Sequence, residues 1–172
     1  DNASRDFNEF LRSTTQKNTE MYALAHYNLG YVAFHKKSYP QAREWFKKYI
    51  NLDQGANRTA LADAYNRVGD CYLNERDFDN AKHAYSQAEA MDTPAGDYSF
   101  YQLALVSGLQ KDYAGKITLL NRLSGKYPSS PYIVNALYEK GRSYVLMENS
   151  RQAITSFREL LDKYPNSPLS RK

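Results

Sequence analysis

The strongest constraint on the fold of this chain is a pattern of small and apolar residues that returns every 35 to 39 residues. Each copy starts with glycine or alanine, and the position 12 residues later is alanine in three copies of four. Apolar or aromatic residues follow four and seven positions after that. The copies are Gly30, Ala42, Phe46 and Tyr49; Gly69, Ala81, Tyr85 and Ala88; Ala104, Lys116, Leu120 and Leu123; and Gly141, Ala153, Phe157 and Leu160. Internal periods of this length predict a stack of similar units.

The spacing inside each copy predicts two helices. In the first copy, Ala42, Phe46 and Tyr49 lie at i, i+4 and i+7, which places them on one helical face. Glycine destabilises a helix interior by about 1 kcal/mol relative to alanine, so its return in the same frame indicates a packing requirement. We expect the glycine of each first helix to face the alanine of the second, because close helix crossings need small side chains.

The residue four positions before each alanine position supports the same division. These residues all accept hydrogen bonds well at a helix start, and they are Ser38, Asp77, Asp112 and Asn149. Each is predicted to cap the second helix of its pair. The third copy departs most from the frame, with Ala104 for glycine and Lys116 for alanine, and we expect looser packing there.

Composition excludes several classes of protein. The 172 residues contain 42% hydrophobic residues, which is enough for a sizeable core, but no apolar run approaches the ~20 residues of a membrane span. The net charge of +4 comes from basic and acidic residues interspersed along the chain, so nucleic acid is not expected as a partner. Cys71 is the single cysteine and cannot form an intrachain disulfide.

No constellation of residues predicts chemistry. His26 and His35 would point to opposite sides of one helix, so no metal site is expected. Cys71 lies beside the packing frame and is predicted to be a buried structural thiol. Asp63 and Asp70 lie two helical turns apart, as surface carboxylates commonly do. We therefore expect no enzyme activity, catalytic residue, metal or cofactor.

The helical pairs resemble the tetratricopeptide repeat over Ala23 to Ser167. The resemblance implies an all-α, right-handed α-solenoid of stacked antiparallel helix pairs. The solenoid would cover residues 20–172, with repeats at about 23–56, 62–95, 97–130 and 134–167 and then the start of a truncated helix. Residues 1–19 would be part of a preceding repeat, since Phe7, Phe10 and Leu11 form an apolar stripe, or else a frayed helix.

A second recurring segment bears on location. Lys126-Tyr127-Pro128-Ser129-Ser130-Pro131 returns 37 residues later as Lys163-Tyr164-Pro165-Asn166-Ser167-Pro168. Tyr-Pro would end one helix and Ser-Pro would begin the next, so Pro168 is predicted to open a helix. This boundary resembles bacterial envelope members of the family, such as outer-membrane assembly lipoproteins and the coordinator of the Tol-Pal system. It implies an excerpt of a longer periplasmic or envelope-associated protein, with the cytoplasm as the alternative.

Family resemblance also implies a groove lined by the first helices, which would bind a partner protein or an extended peptide. The predicted partner-binding residues are Tyr27, Tyr31, Phe34, Asn66, Asp70, Tyr101, Leu105, Tyr138 and Arg142. The opposing interpretation is that these tyrosines only pack one first helix on the next. A regulatory or peptide-sensing module of a larger signalling or transcription protein is the alternative function, and self-association through truncated repeat ends is a further expectation.

Overall fold

The computed structural model describes residues 2–15, 17, 19–53, 55 and 57–171. The bounds predicted at residues 1, 56 and 172 lie outside the described residues. Within these ranges the chain contains α-helices, one short 3-10 helix and no strand, which confirms the predicted all-α class. The elements are α1 (Asn2–Ser13), α2 (Glu20–His35), α3 (Tyr39–Asp53), α4 (Arg58–Asn74), α5 (Phe78–Ala90), α6 (Gly96–Leu109), α7 (Tyr113–Lys126), α8 (Ile133–Leu146), α9 (Ser150–Lys163) and the 3-10 turn Pro168–Arg171.

The helices form two compact units, Asp1–Ala95 and Gly96–Lys172. Each holds two helix pairs around its own core. In the N-terminal unit the fully buried Phe46 and Tyr49 of α3 pack with Val68 of α4. In the C-terminal unit Phe100 of α6 and Leu120 of α7 belong to the core cluster. Four pairs result: α2 with α3, α4 with α5, α6 with α7 and α8 with α9.

Glycines of the first helices lie against aromatic rings of the second helices. A Cβ atom on Gly30 would come within 2.7 Å of the Phe46 ring, and one on Gly141 within 2.6 Å of the Phe157 ring. The expectation that each glycine faces the alanine of the frame is therefore wrong in its partner. The nearest group is the ring four residues beyond the alanine, and Ala42 and Ala153 are simply buried alongside.

The turn inside each pair is built the same way four times. The residue before the predicted cap has a left-handed backbone: φ is 58° at Lys37, 62° at Arg76, 64° at Lys111 and 57° at Glu148. The next backbone N–H donates to a carbonyl five residues back, as Asp112 N does to Ser107 O at 2.8 Å. This is the hydrogen bond that closes a Schellman motif and ends a helix.

Three of the four predicted side-chain caps on the second helices are confirmed, those of Asp77, Asp112 and Asn149. The side chain of Asp112 accepts a hydrogen bond from Gly115 N at 2.8 Å, and Asp77 and Asn149 cap α5 and α9 in the same way. Ser38 directly precedes α3, and its carbonyl accepts from Ala42 N at 2.9 Å. These interactions fix where the second helices begin.

The two Tyr-Pro boundaries also share a local geometry. Ser130 Oγ accepts from Tyr132 N at 3.1 Å, and Ser167 Oγ accepts from Leu169 N at 3.2 Å. The chain therefore turns at Pro131 and Tyr132, and α8 starts at Ile133 instead of at the proline. After Pro168 the described residues form a 3-10 turn.

Candidate partner-binding site

Two predicted residues of the N-terminal unit connect its first helices. Tyr27 Oη donates to Asp63 Oδ2 at 2.7 Å, and Tyr31 Oη donates to the same oxygen, so α2 is tied to α4. Burial is the main reason that the pKa values of both phenols are raised, to about 12 for Tyr31, and the bond to Asp63 adds to the effect. Both phenols therefore stay protonated donors at neutral pH.

The same two rings also take part in packing. The Tyr27 ring lies 5.0 Å from that of Tyr49, and the Tyr31 ring lies 5.3 Å from that of Phe46, with edge-to-face or tilted geometry. Phe34 lies 5.6 Å from Tyr39. All three predicted residues are half-buried. They contribute to the packing contact of α2 with its neighbouring helices, and part of each side chain is still accessible to solvent.

The predicted polar residues of α4 lie deeper. Asn66 is 1% exposed, and Asp70 is also buried. The Asp70 carboxylate accepts from Tyr85 Oη at 2.7 Å and lies 2.6 Å from the Arg67 guanidinium. Because a buried carboxylate needs such partners, Asp70 stabilises the contact between α4 and α5. Any effect of these two residues on a partner would pass through their neighbours.

In the C-terminal unit, the remaining four predicted residues lie on the first helices α6 and α8. We call this set, Tyr101, Leu105, Tyr138 and Arg142, the α6–α8 face. The Tyr101 ring stacks on Tyr132 at 5.0 Å with 13° between the planes, and the Tyr138 ring lies 6.0 Å from Phe157. Leu105 is half-buried. The side chain of Arg142 is 56% exposed, and its guanidinium lies 5.9 Å from the Tyr138 ring centroid.

A charged group adjoins this face that the sequence did not predict. Lys116 of α7 is 7% exposed, and its ammonium pairs with the carboxylate of Glu139 on α8. The other oxygen of Glu139 lies 3.1 Å from Nη1 of Arg142. Lys116 passes beside Gly108, where a Cβ atom would come within 2.9 Å of its stem. The signal in the sequence was a lysine at an alanine position, which predicted only looser packing.

Tyr101 lies within electrostatic reach of this group. Its pKa is raised mainly by burial, and the negative charge of Glu139 adds to the shift. One carboxylate thus lies among two cations and a phenol. Lys116, Glu139 and Arg142 form what we call the charged triad.

Three models of the tetratricopeptide repeat match the sequence, at residues 21–93, 69–131 and 135–167. Together they cover most of the chain and all four helix pairs. The chain belongs to the tetratricopeptide repeat family. Proteins built from these repeats are in general non-catalytic scaffolds for protein partners, and a solenoid of this type is the fold class that the sequence predicted.

Solved structures of similar fold support this tetratricopeptide assignment. The crystal structure of MamA matches with a TM-score of 0.77 and 20% identity, over 93% of this chain and 85% of the MamA chain. PilF of Pseudomonas aeruginosa matches with a TM-score of 0.67 and 14% identity, over 97% and 70%. BtubC from P. vanneervenii matches with a TM-score of 0.76 and 10% identity, over 90% and 68%. At these identities the likeness concerns the fold alone. A comparison with curated proteins finds no matching sequence.

We also searched the tetratricopeptide chain for a metal site, a reactive cysteine and a membrane-spanning helix. Its described residues contain no cluster of three or more His, Cys, Asp or Glu side chains that could hold a metal ion. Cys71 is fully buried, and burial raises the pKa of its thiol to about 12, so it is not a ready nucleophile. None of the described helices is long and apolar enough to cross a membrane.

Proposed function

We propose that this tetratricopeptide chain is a non-catalytic scaffold that binds an extended segment of a partner protein on the exposed sides of its first helices. The α6–α8 face carries the proposal. It combines rigid aromatic surface with an exposed guanidinium, the residue types that most often supply binding energy at protein interfaces. Tyrosine adds a hydroxyl that can bond to a peptide backbone without a large loss of side-chain freedom.

In the N-terminal unit, the half-buried Tyr27, Tyr31 and Phe34 would provide a second contact surface of the same kind. The hydroxyls of Tyr27 and Tyr31 already donate to Asp63, so all three side chains would meet a partner mainly through their rings. Asn66 and Asp70 are buried in α4 and would stabilise this surface without contacting the partner. Substitution of these five residues should therefore cost more in folding, relative to binding, than substitution on the α6–α8 face.

We further propose that the scaffold works in a bacterial envelope. The support is the repeated Lys-Tyr-Pro-x-Ser-Pro boundary, whose two copies share one turn geometry in this chain. The test is the N-terminus encoded by the complete gene. A signal sequence, with or without a lipoprotein cysteine, is expected; a complete gene without an export signal would contradict the envelope proposal.

The binding proposal is tested by selecting peptides from a displayed random library on the wild-type protein and measuring their affinity by fluorescence anisotropy. The double variant Tyr101→Ala and Tyr138→Ala should bind the selected peptides at least about tenfold more weakly, as expected for loss of two anchors. Tyr144→Ala is the matched control, because Tyr144 lies on α8 but off the α6–α8 face.

Thermal unfolding of each variant separates loss of binding from loss of fold. The proposal is wrong if the library yields no peptide that binds the wild type, or if the Tyr144 variant loses as much affinity as the double variant. Equal losses of affinity and stability in the double variant would instead favour a purely packing role for the tyrosines.

A further inference from the structure

The charged triad shares Arg142 with the α6–α8 face, and its lysine has no counterpart in the other repeats. The positions that correspond to Lys116 are Ala42, Ala81 and Ala153, all of them buried. In the third repeat the lysine stem fills the space beside Gly108, and its ammonium reaches α8. The buried ammonium of α7 thus lies behind the surface that α6 and α8 form.

The triad carries a net positive charge beside the half-buried rings of Tyr101 and Tyr138. Glu139 is shared between Lys116 and Arg142, so one negative charge faces two positive charges. The contact with Glu139 holds one guanidinium nitrogen of Arg142, and the Tyr138 ring lies next to the same guanidinium. More than half of the Arg142 side chain remains exposed, which leaves further N–H donors of the planar group facing solvent.

We infer that the α6–α8 face recognises an acidic segment of a partner protein, and that Arg142 binds a carboxylate of that segment. The inference rests on the proposed function and names the chemistry of its ligand. Arginine suits this role because its donors match a carboxylate in two parallel hydrogen bonds. Glu139 and Tyr138 already restrict its orientation, so less side-chain freedom is lost on binding.

Glu139 has a distinct part in this scheme. Its carboxylate already occupies one side of Arg142, and its charge repels an incoming acid. Glu139 therefore acts as a positioning residue that orients Arg142 and also lowers the affinity for acidic ligands. Lys116 offsets that repulsion from inside the repeat. A group that only stabilised the fold would not have opposite effects on acidic and basic ligands.

The experiment compares three labelled peptides of about ten residues that alternate leucine with glutamate, glutamine or lysine, so that one side of the extended peptide carries the charge. Anisotropy is measured on the whole chain. The glutamate peptide is expected to bind tightest, and raising the salt from about 0.05 to 0.5 M should weaken it, because part of the attraction is screened. Arg142→Gln should weaken this peptide by about tenfold or more.

Two further variants make the result specific. Glu139→Gln should strengthen binding of the glutamate peptide by about threefold or more and weaken the lysine peptide, since one repelling charge is removed. Arg151→Gln removes an exposed arginine of α9 and is the matched control, expected to change neither peptide beyond about twofold. Circular dichroism and thermal unfolding show whether each variant keeps its fold. If Glu139→Gln does not fold, the comparison of Arg142→Gln with Arg151→Gln carries the test.

The outcomes separate this inference from the proposed function. If glutamine and glutamate peptides bind equally and both depend on Tyr101 and Tyr138, the scaffold proposal stands and the acidic preference is wrong. If neither selected nor designed peptides bind, both are wrong. If a single-stranded oligonucleotide of equal charge binds more tightly than the glutamate peptide and depends on Arg142, the ligand is a nucleic acid and the inference is overturned.

Discussion

Replacing Gly69 with alanine should destabilise the chain, although the same change stabilises most helix interiors. A Cβ atom at this position would come within 2.6, 2.7 and 2.8 Å of Cε1, Cδ1 and Cζ of Tyr85. Ordinary van der Waals contacts of a Cβ atom begin at about 3.4 Å. The Tyr85 ring is fully buried, and its hydroxyl donates to Asp70 at 2.7 Å, so it cannot retreat without breaking that bond.

The expected size follows from two opposing terms. Overpacking a tight core site costs about 1–3 kcal/mol, whereas alanine gains about 1 kcal/mol of helix propensity over glycine. The free energy of unfolding should therefore fall by up to about 2 kcal/mol, which lowers the melting temperature by up to ~8 °C in a domain of this size. Urea unfolding followed by circular dichroism measures the first quantity, with an unchanged m-value.

Gly125 provides the matched control, because it lies in α7 and a Cβ atom there would meet nothing within 4 Å. Gly125→Ala should stabilise the chain by ~0.5–1 kcal/mol. Gly69→Leu should cost more than Gly69→Ala, and Tyr85→Leu should reduce the penalty of Gly69→Ala. The packing argument is refuted if Gly69→Ala proves as stabilising as Gly125→Ala.

Three other perturbations test the local physics. Lys111 has a left-handed backbone, so Lys111→Gly should raise the free energy of unfolding by ~0.5–1 kcal/mol in urea titrations; a decrease would contradict the turn geometry. Its neighbour Asp112 caps α7, and Asp112→Ala should lower the same quantity by about 1 kcal/mol, whereas no change would remove the cap from the account. Burial lowers the pKa of His26 below 6.5, so the unfolded chain binds more protons there and stability should fall as the pH drops from about 7 to 5. That slope should be shallower in His26→Asn but not in the exposed His83→Asn; equal slopes in all three proteins would count against it.

The helix pairs were predictable because their causes are local. A cap such as Asp77 and an apolar face such as that of α3 act within a few residues, and a single sequence displays both. The partner of each glycine was not predictable in the same way. Helical periodicity gives the direction in which Gly30 points, but the depth at which it meets α3, and therefore Phe46 instead of Ala42, depends on how two helices cross.

The site was harder to predict than the fold for a related reason. Periodicity placed Tyr27 and Tyr31 on one side of α2, yet their shared acceptor Asp63 lies 36 and 32 residues away and is selected by rotamers and by the spacing of helices. Lys116 was visible only as a violation of the frame. Its ion-pair partner Glu139 lies 23 residues further along the chain and on another helix, so no local rule could predict the pair.

Lys116 also limits how this array could be regularised by consensus engineering. Writing the family alanine back at position 116 would leave the Glu139 carboxylate in a partly buried place with its interior counterion removed, and would open a gap beside Gly108. Gly108→Ala alone would overpack the same place, because the new methyl group would come within 2.9 Å of Cδ of Lys116. The side chains at positions 108, 116 and 139 are therefore coupled, and an engineered change at one of them requires changes at the other two.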